Sequence, residues 1–203
     1  MTPLTNRINA AVRRVPGWAL YILGAAYGGW LFYLGLTGGL GVEPIEALEH
    51  AYGEFALKLL LAGLAVTPLR QLLGVNLIGW RRAIGVTAFF FVLAHFLVWA
   101  VLDVQRLSAI WADIIERPYV TIGMAGFLAL IPLAITSNTY MVRKLGPIRW
   151  RKLHKLAYPA AVLGAVHYVW LAKGLQIEPL VYLAVTLGLL ALRFWPQRRR
   201  AAA

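Results

Sequence analysis

Residues 83–102, "AIGVTAFFFVLAHFLVWAVL", decide what kind of protein this is. Twenty residues pass without one Lys, Arg, Asp or Glu. As a helix rising ~1.5 Å per residue, such a run crosses the ~30 Å hydrocarbon core of a bilayer. One titratable side chain, His95, lies inside it.

Similar blocks recur along the chain. The 203 residues are 61% hydrophobic with a mean hydropathy of +0.69, whereas soluble domains are nearer half apolar with the apolar residues dispersed. Apolar runs bounded by charges or turn residues fall at about 17–36, 54–73, 83–102, 119–139, 156–172 and 179–195. The expected fold is therefore all-α, an integral membrane six-helix bundle forming a single domain over residues 1–203. Gly38-Gly39, Gly41 and Pro44 break the chain after the first span, and Pro118 opens the fourth, where a missing N–H costs nothing. Pro68 and Pro132 fall inside spans, where kinks are expected. The segment "LSAIWADII" in 103–118 has amphipathic spacing and reads as a short helix, lying at the interface or packed over the bundle.

Charge gives the orientation. The N-terminus, the 70–82 and 143–155 loops and the tail hold 16 of the 20 Lys and Arg residues. Lys58, Arg106, Arg117 and Lys173 fall on the opposite side, as do all eight acids: Glu43, Glu46, Glu49, Glu54, Asp103, Asp113, Glu116 and Glu178. The positive-inside rule then puts both termini in the cytoplasm. The net charge of +12 is distributed between apolar blocks rather than gathered in a soluble basic domain, so nucleic acid is not an expected partner. Arg7, Arg13 and Arg14 precede an apolar run too long for a signal-peptide core, which reads as the first span. The absence of cysteine excludes disulfides, thiolate clusters and covalent c-type haem attachment.

Four histidines remain to be explained. His95 and His167 each lie a few residues from the outer ends of the third and fifth spans, at matching depth. Two imidazoles at one depth on facing helices can supply both axial ligands of a haem. His154 lies ~20 Å below His167, and at the corresponding depth in the third span stands Arg81. The result is two levels, the outer complete and the inner half made. Thirteen residues at ~100° each put His154 and His167 on different faces of an ideal helix, unless His154 precedes the helix start or Pro159 disturbs its first turns. The plainer account of a membrane histidine is a buried hydrogen-bonding residue or a step in a proton path. His50, among Glu46, Glu49 and Glu54, reads as a solvated loop residue. The glycines of "GAAYGGW" at 24–30, with Gly123 and Gly126, read first as close helix packing and second as cofactor approach, and the tryptophans as interfacial anchors.

Several short motifs occur in order: "VTPLR" at 66–70, "RRAIG" at 81–85, the His95 helix, "RPYVTIG" at 117–123, "LAITSN" at 133–138, and "RKLGPIRWRKLHKLAY" leading to His167. On these, from about residue 17 to 175, the chain resembles the ferric-reductase-like transmembrane family. Within that family it is most similar to the haem-binding membrane subunits of bacterial periplasmic methionine sulfoxide reductase systems. The resemblance implies haem b, one or two per chain, with His95, His154 and His167 as axial iron ligands, and FMN as a further cofactor without assignable residues. Two-haem relatives carry two histidines on each of the third and fifth helices, so Arg81 is a departure that concerns the inner site. Arg81, Arg82, Arg149 and Arg151 would supply charge for propionates, a flavin phosphate or quinol docking; singly, each is explained by orientation alone.

No G-x-G-x-x-G follows a strand in the sequence. By resemblance, electrons then arrive from membrane quinol or a cytoplasmic flavin reductase. They leave to a periplasmic molybdenum-containing subunit that reduces methionine sulfoxide in proteins, across the bacterial inner membrane. The chain would be an electron-transfer subunit rather than the catalytic one. Competing readings are a stand-alone ferric or flavin-linked reductase, a histidine-dependent transporter without haem, and a membrane anchor that carries no electrons.

Overall fold

A computed structural model of the chain describes residues 3–172 and 176–194. Among these there is no strand. The helices are α1 (Pro3–Arg14), α2 (Trp18–Leu36), α3 (Pro44–Pro68), α4 (Arg81–Leu97), α5 (Leu107–Glu116), α6 (Pro118–Ile135), α7 (Thr139–Leu153), α8 (Ala157–Leu171) and α9 (Ile177–Phe194). Among the described residues, four stretches are long and apolar enough to cross a membrane: Trp18–Leu36, Pro44–Leu73, Ile78–Val104 and Pro118–Ile135. The expected end of the last span at 195, and Lys173, lie outside the described residues.

The helices are apolar on more than one face because lipid takes the place of water around them. In α2 only Gly24 and Leu31 are buried, while Trp18, Ile22, Leu23, Phe32 and Leu36 are exposed. Packing runs through α3, which touches α2, α4, α8 and α9. Leu31, Leu48, Tyr52, Ala56, Phe91 and Val98 join α2 and α3 to the α4 segment, while Leu130, Leu133 and Ala160 join α6 to α8. Close approach of α2 to α4 depends on Gly24, where an added Cβ would lie 2.6 Å from Thr87 Cγ2. The ordinary packing reading therefore holds for that glycine.

Several boundaries differ from the sequence expectation, each for a local reason. α3 starts at Pro44 rather than near 54, because Gly38 and Gly41 take positive φ and complete the turn within a few residues. Pro44 at the first turn and Glu46 beside the helix N-terminus then favour helix. Glu46, Glu49, His50 and Glu54 are consequently helical; His50 is exposed but not in a loop. α6 stops at Ile135 rather than 139. There the Thr136 and Ser137 hydroxyls donate to the carbonyls of Pro132 and Leu133, at 2.6 and 2.7 Å. Asn138 then caps α7 by accepting from the Met141 N–H at 2.8 Å. Two π-helical turns, 69–73 and 98–104, extend α3 and α4. His154 lies in a 3-10 turn, 154–156, ahead of α8, so the ideal-helix phase objection does not apply to it. Pro159 occupies the first turn of α8, where its missing N–H costs no intrahelical hydrogen bond.

By sequence the N-terminal segment is only a bearer of charge, yet α1 is a docked helix. Asn9 is buried; its amide nitrogen donates to the Gly74 carbonyl at 3.0 Å, and its side-chain oxygen accepts from the Asn76 N–H at 2.8 Å. Trp80 Nε1 donates to the Val15 carbonyl at 2.9 Å, and Arg82 lies 3.5 Å from the Thr139 hydroxyl. The basic segments thus gather at one end of the bundle. Replacing Asn9 with Ala removes both bonds and leaves two backbone groups short of a partner, at a cost on the order of 1–3 kcal/mol. Hydrogen exchange should show α1 amides exchanging roughly 10–100 times faster while α4 is unchanged.

Candidate functional site

His95 on α4 and His167 on α8 face one another, with ring centroids 6.1 Å apart and planes at 76°. Their Nδ1 atoms are occupied. His95 Nδ1 donates to the Glu49 carbonyl at 2.9 Å, and His167 Nδ1 to the Tyr119 carbonyl at 2.7 Å. That fixes the tautomer and leaves each Nε2 with its lone pair free, as metal-binding imidazoles require. Two imidazoles bound through Nε2 to one iron at about 2 Å each have centroids roughly 6 Å apart. The observed spacing fits.

Both contacts use the same device. In a helix the carbonyl of residue i points along the axis toward residue i+4, whose side chain normally screens it from a neighbouring helix. Residue i+4 is glycine in both cases: Gly53 after Glu49, and Gly123 after Tyr119. A Cβ on Gly53 would lie 3.0 Å from His95 Nδ1, and one on Gly123 would lie 2.8 Å from His167 Nδ1. The glycines open the carbonyls to the imidazoles. For Gly123 the close approach serves a site histidine rather than ordinary helix packing.

The rings line a cavity of about 370 Å³ between α3, α4, α6 and α8. Its wall mixes aromatic residues, Phe96, Trp99 and Phe127, with small ones, Gly53, Ala56, Gly126, Ala160 and Gly164. Such a wall suits a flat, largely apolar ligand. Phe127 stacks on Phe96 with centroids 5.1 Å apart and stiffens that side. Trp99 and Asp103 reach the cavity from the π-turn after α4. A π-turn takes more residues per revolution than an α-turn, so the four-residue spacing of His95, Trp99 and Asp103 stays on one face. Glu46, Glu49, His50, Glu54 and Arg117 also line it.

His154 lies apart from this cavity. Its Nε2 is 2.9 Å from Thr136 Oγ1, which itself donates to the Pro132 carbonyl at 2.6 Å and so must accept from the histidine. Its ring stacks on Trp150 with centroids 3.8 Å apart, and Trp150 Nε1 donates to the Thr136 carbonyl at 2.8 Å. Partial burial, then the nearby Arg81 and Arg82 guanidiniums, push His154 down to about 4, so it is neutral at pH 7. The level match between His154 and Arg81 is therefore present. The free ring nitrogen at this level is Nδ1. Arg149 and Arg151 lie on α7, and Arg151 Nε donates to the Pro147 carbonyl at 3.1 Å.

Sequence spacing found the two facing histidines but not the carbonyls that orient them. Backbone acceptors carry no residue signature. The signal that was available is the glycine four residues after each acceptor, in "EHAYG" and "YVTIG". Trp99, Asp103 and Arg117 were also missed as lining residues, the first two because a π-turn is not visible in apolar periodicity.

A family model described as ferric reductase like transmembrane component matches residues 50–165, which includes His95 and His154 and stops just short of His167. A protein-methionine-sulfoxide reductase heme-binding subunit MsrQ from Agrobacterium fabrum is 49% identical over 177 residues, covering 87% of this chain and 82% of the relative. The MsrQ of Rhizobium meliloti is similar to the same extent, 49% over 177 residues. That of Brucella ovis is 46% identical over 177 residues, 80% of its length. With the paired imidazoles and the helical membrane architecture on one chain, these likenesses make it a member of the ferric reductase like transmembrane family, in the branch of the MsrQ heme-binding subunits.

Proposed function

We propose that the chain is a b-type haem electron-transfer subunit, with His95 and His167 as the two axial ligands of one haem. The observation that carries this is the imidazole pair, 6.1 Å between centroids with each Nδ1 tied to a helix carbonyl. Bound there, haem supplies a one-electron couple near one face of the membrane. The protein's own part is to fix both rings, keep Nε2 unprotonated, and surround the site with apolar wall that limits water. The name of these relatives, a heme-binding subunit of protein-methionine-sulfoxide reductase, supports the same reading.

Six spans with both termini in the cytoplasm complete the proposal, α8 and α9 joining the four longer stretches. The gathering of α1, the 70–82 segment and the start of α7 at one end supports this orientation. His95 and His167 then belong to the periplasmic half. A periplasmic molybdenum-containing methionine sulfoxide reductase subunit accepts the electrons, and quinol or a cytoplasmic flavin reductase provides them. Arg81, Arg82, Arg149 and Arg151 supply positive charge at the donor end, suited to a flavin phosphate such as that of FMN or to a quinol headgroup. His154, with Nε2 engaged by Thr136, anchors that end rather than completing a second bis-histidine site.

One haem per chain is therefore expected from a pyridine haemochrome assay on purified protein, and His95→Ala or His167→Ala should each remove most of it. Undiminished haem in both variants, or a colourless wild-type protein that takes up no haemin, would sink the proposal. Gly123→Ala should weaken haem affinity by about 10–100-fold, the range for losing an orienting contact. Gly53→Ala should act in the same direction but less, since its Cβ meets the ring at 3.0 rather than 2.8 Å. Haem titration of the two apo-variants checks that ranking.

A further inference from the structure

The cavity between His95 and His167 is lined by four acids, Glu46, Glu49, Glu54 and Asp103, and among the described residues Arg117 is the only Lys or Arg in its wall. Haem b carries two propionate carboxylates. A site whose rim held only acids would repel them, so the placement of that single guanidinium matters.

Arg117 stands between α5 and α6, on the segment that also orients His167. Its Nε lies 3.3 Å from Asp113 Oδ1, and one terminal nitrogen donates to the Tyr119 hydroxyl at 3.3 Å. The Tyr119 carbonyl in turn accepts from His167 Nδ1. A guanidinium has five N–H donors, and these contacts leave its second terminal nitrogen available. Arg81 and Arg82, which the resemblance offers for propionates, a flavin phosphate or quinol docking, start α4 some fourteen residues from His95, roughly 20 Å along the helix. They belong to the other end of the bundle.

From this placement we infer that Arg117 binds a propionate carboxylate of the haem held by His95 and His167, through a charge-assisted hydrogen bond, with Asp113 and Tyr119 positioning the guanidinium. The inference rests on the haem reading given above. It adds a second point of attachment, so that the same short segment fixes an axial ligand and the porphyrin's edge. No covalent or redox step is involved.

Haemin and haemin dimethyl ester, which lacks the carboxylates, separate this contact from all others. Full-length protein stripped of haem is titrated with each porphyrin by absorbance. Wild type should prefer haemin by about tenfold or more, the scale of one hydrogen bond to a charged group. Arg117→Gln should bring the ratio close to one while retaining the ester's affinity, and Arg117→Lys should keep most of the preference. A wild-type ratio preserved in Arg117→Gln, or no preference in wild type, overturns the assignment while leaving the axial ligands intact. Uptake of neither porphyrin by wild type overturns the haem reading and this assignment with it. Should Arg117→Gln fail to accumulate, Asp113→Asn decides. Without the carboxylate that positions the guanidinium, the preference for haemin should fall, and an unchanged ratio counts against the assignment.

Discussion

The site depends on two backbone carbonyls, those of Glu49 and Tyr119, that accept hydrogen bonds from imidazoles on neighbouring helices. A histidine side chain in a membrane helix has several rotamers, two tautomers and no water to settle between them. The carbonyl settles both. It selects Nδ1–H, turns Nε2 toward the cavity, and fixes the ring against the facing helix. Each carbonyl is reachable only because a glycine follows four residues later, so the requirement is written twice, on α3 for His95 and on α6 for His167. The rest of the bundle brings those two pairs to one depth.

Membrane physics explains much of what surrounds the site. Lipid supplies no attraction between helices beyond what packing gives, so contact depends on small residues that let backbones approach. Gly24 serves that purpose between α2 and α4. Several polar side chains are engaged: Thr136 satisfies the proline-interrupted end of α6 and holds His154, and Tyr52 donates to the Gly28 carbonyl at 2.8 Å, whereas the buried Thr87 hydroxyl has no hydrogen-bond partner among the described residues. The charges in the middle of α3 are paired. Glu54 lies deepest among the acids of α3 and is paired with Lys58 at 2.5 Å and with the Tyr182 hydroxyl at 3.0 Å.

Much of the architecture was legible because the bilayer imposes a length and a composition on anything that crosses it. The helical fold, the opening of α6 at Pro118 and the short helix at 107–116 follow from apolar run length and proline placement. Depth matching was enough to pair His95 with His167. What escaped sequence reading has identifiable causes. Three acids and His50 made the start of α3 look like a loop, although their helical face borders a cavity. The hydroxyls and amide of "TSN" at 136–138 end one helix and start the next, which hydropathy does not register. α1 docks through one asparagine. Arg117 looked like an orientation charge until the fold set it on the rim of the same cavity as the histidines.

The central claim, that His95 and His167 share one haem iron with their rings held at a steep angle, is tested most directly by electron paramagnetic resonance of the oxidised protein. Nearly perpendicular axial imidazole planes bring the iron's two π-symmetry d orbitals close in energy, so the account predicts a highly anisotropic low-spin ferric signal. A high-spin ferric signal would mean that at most one histidine is bound. An ordinary rhombic low-spin signal would mean that the two rings lie nearly parallel, contrary to the 76° set by the Glu49 and Tyr119 carbonyls.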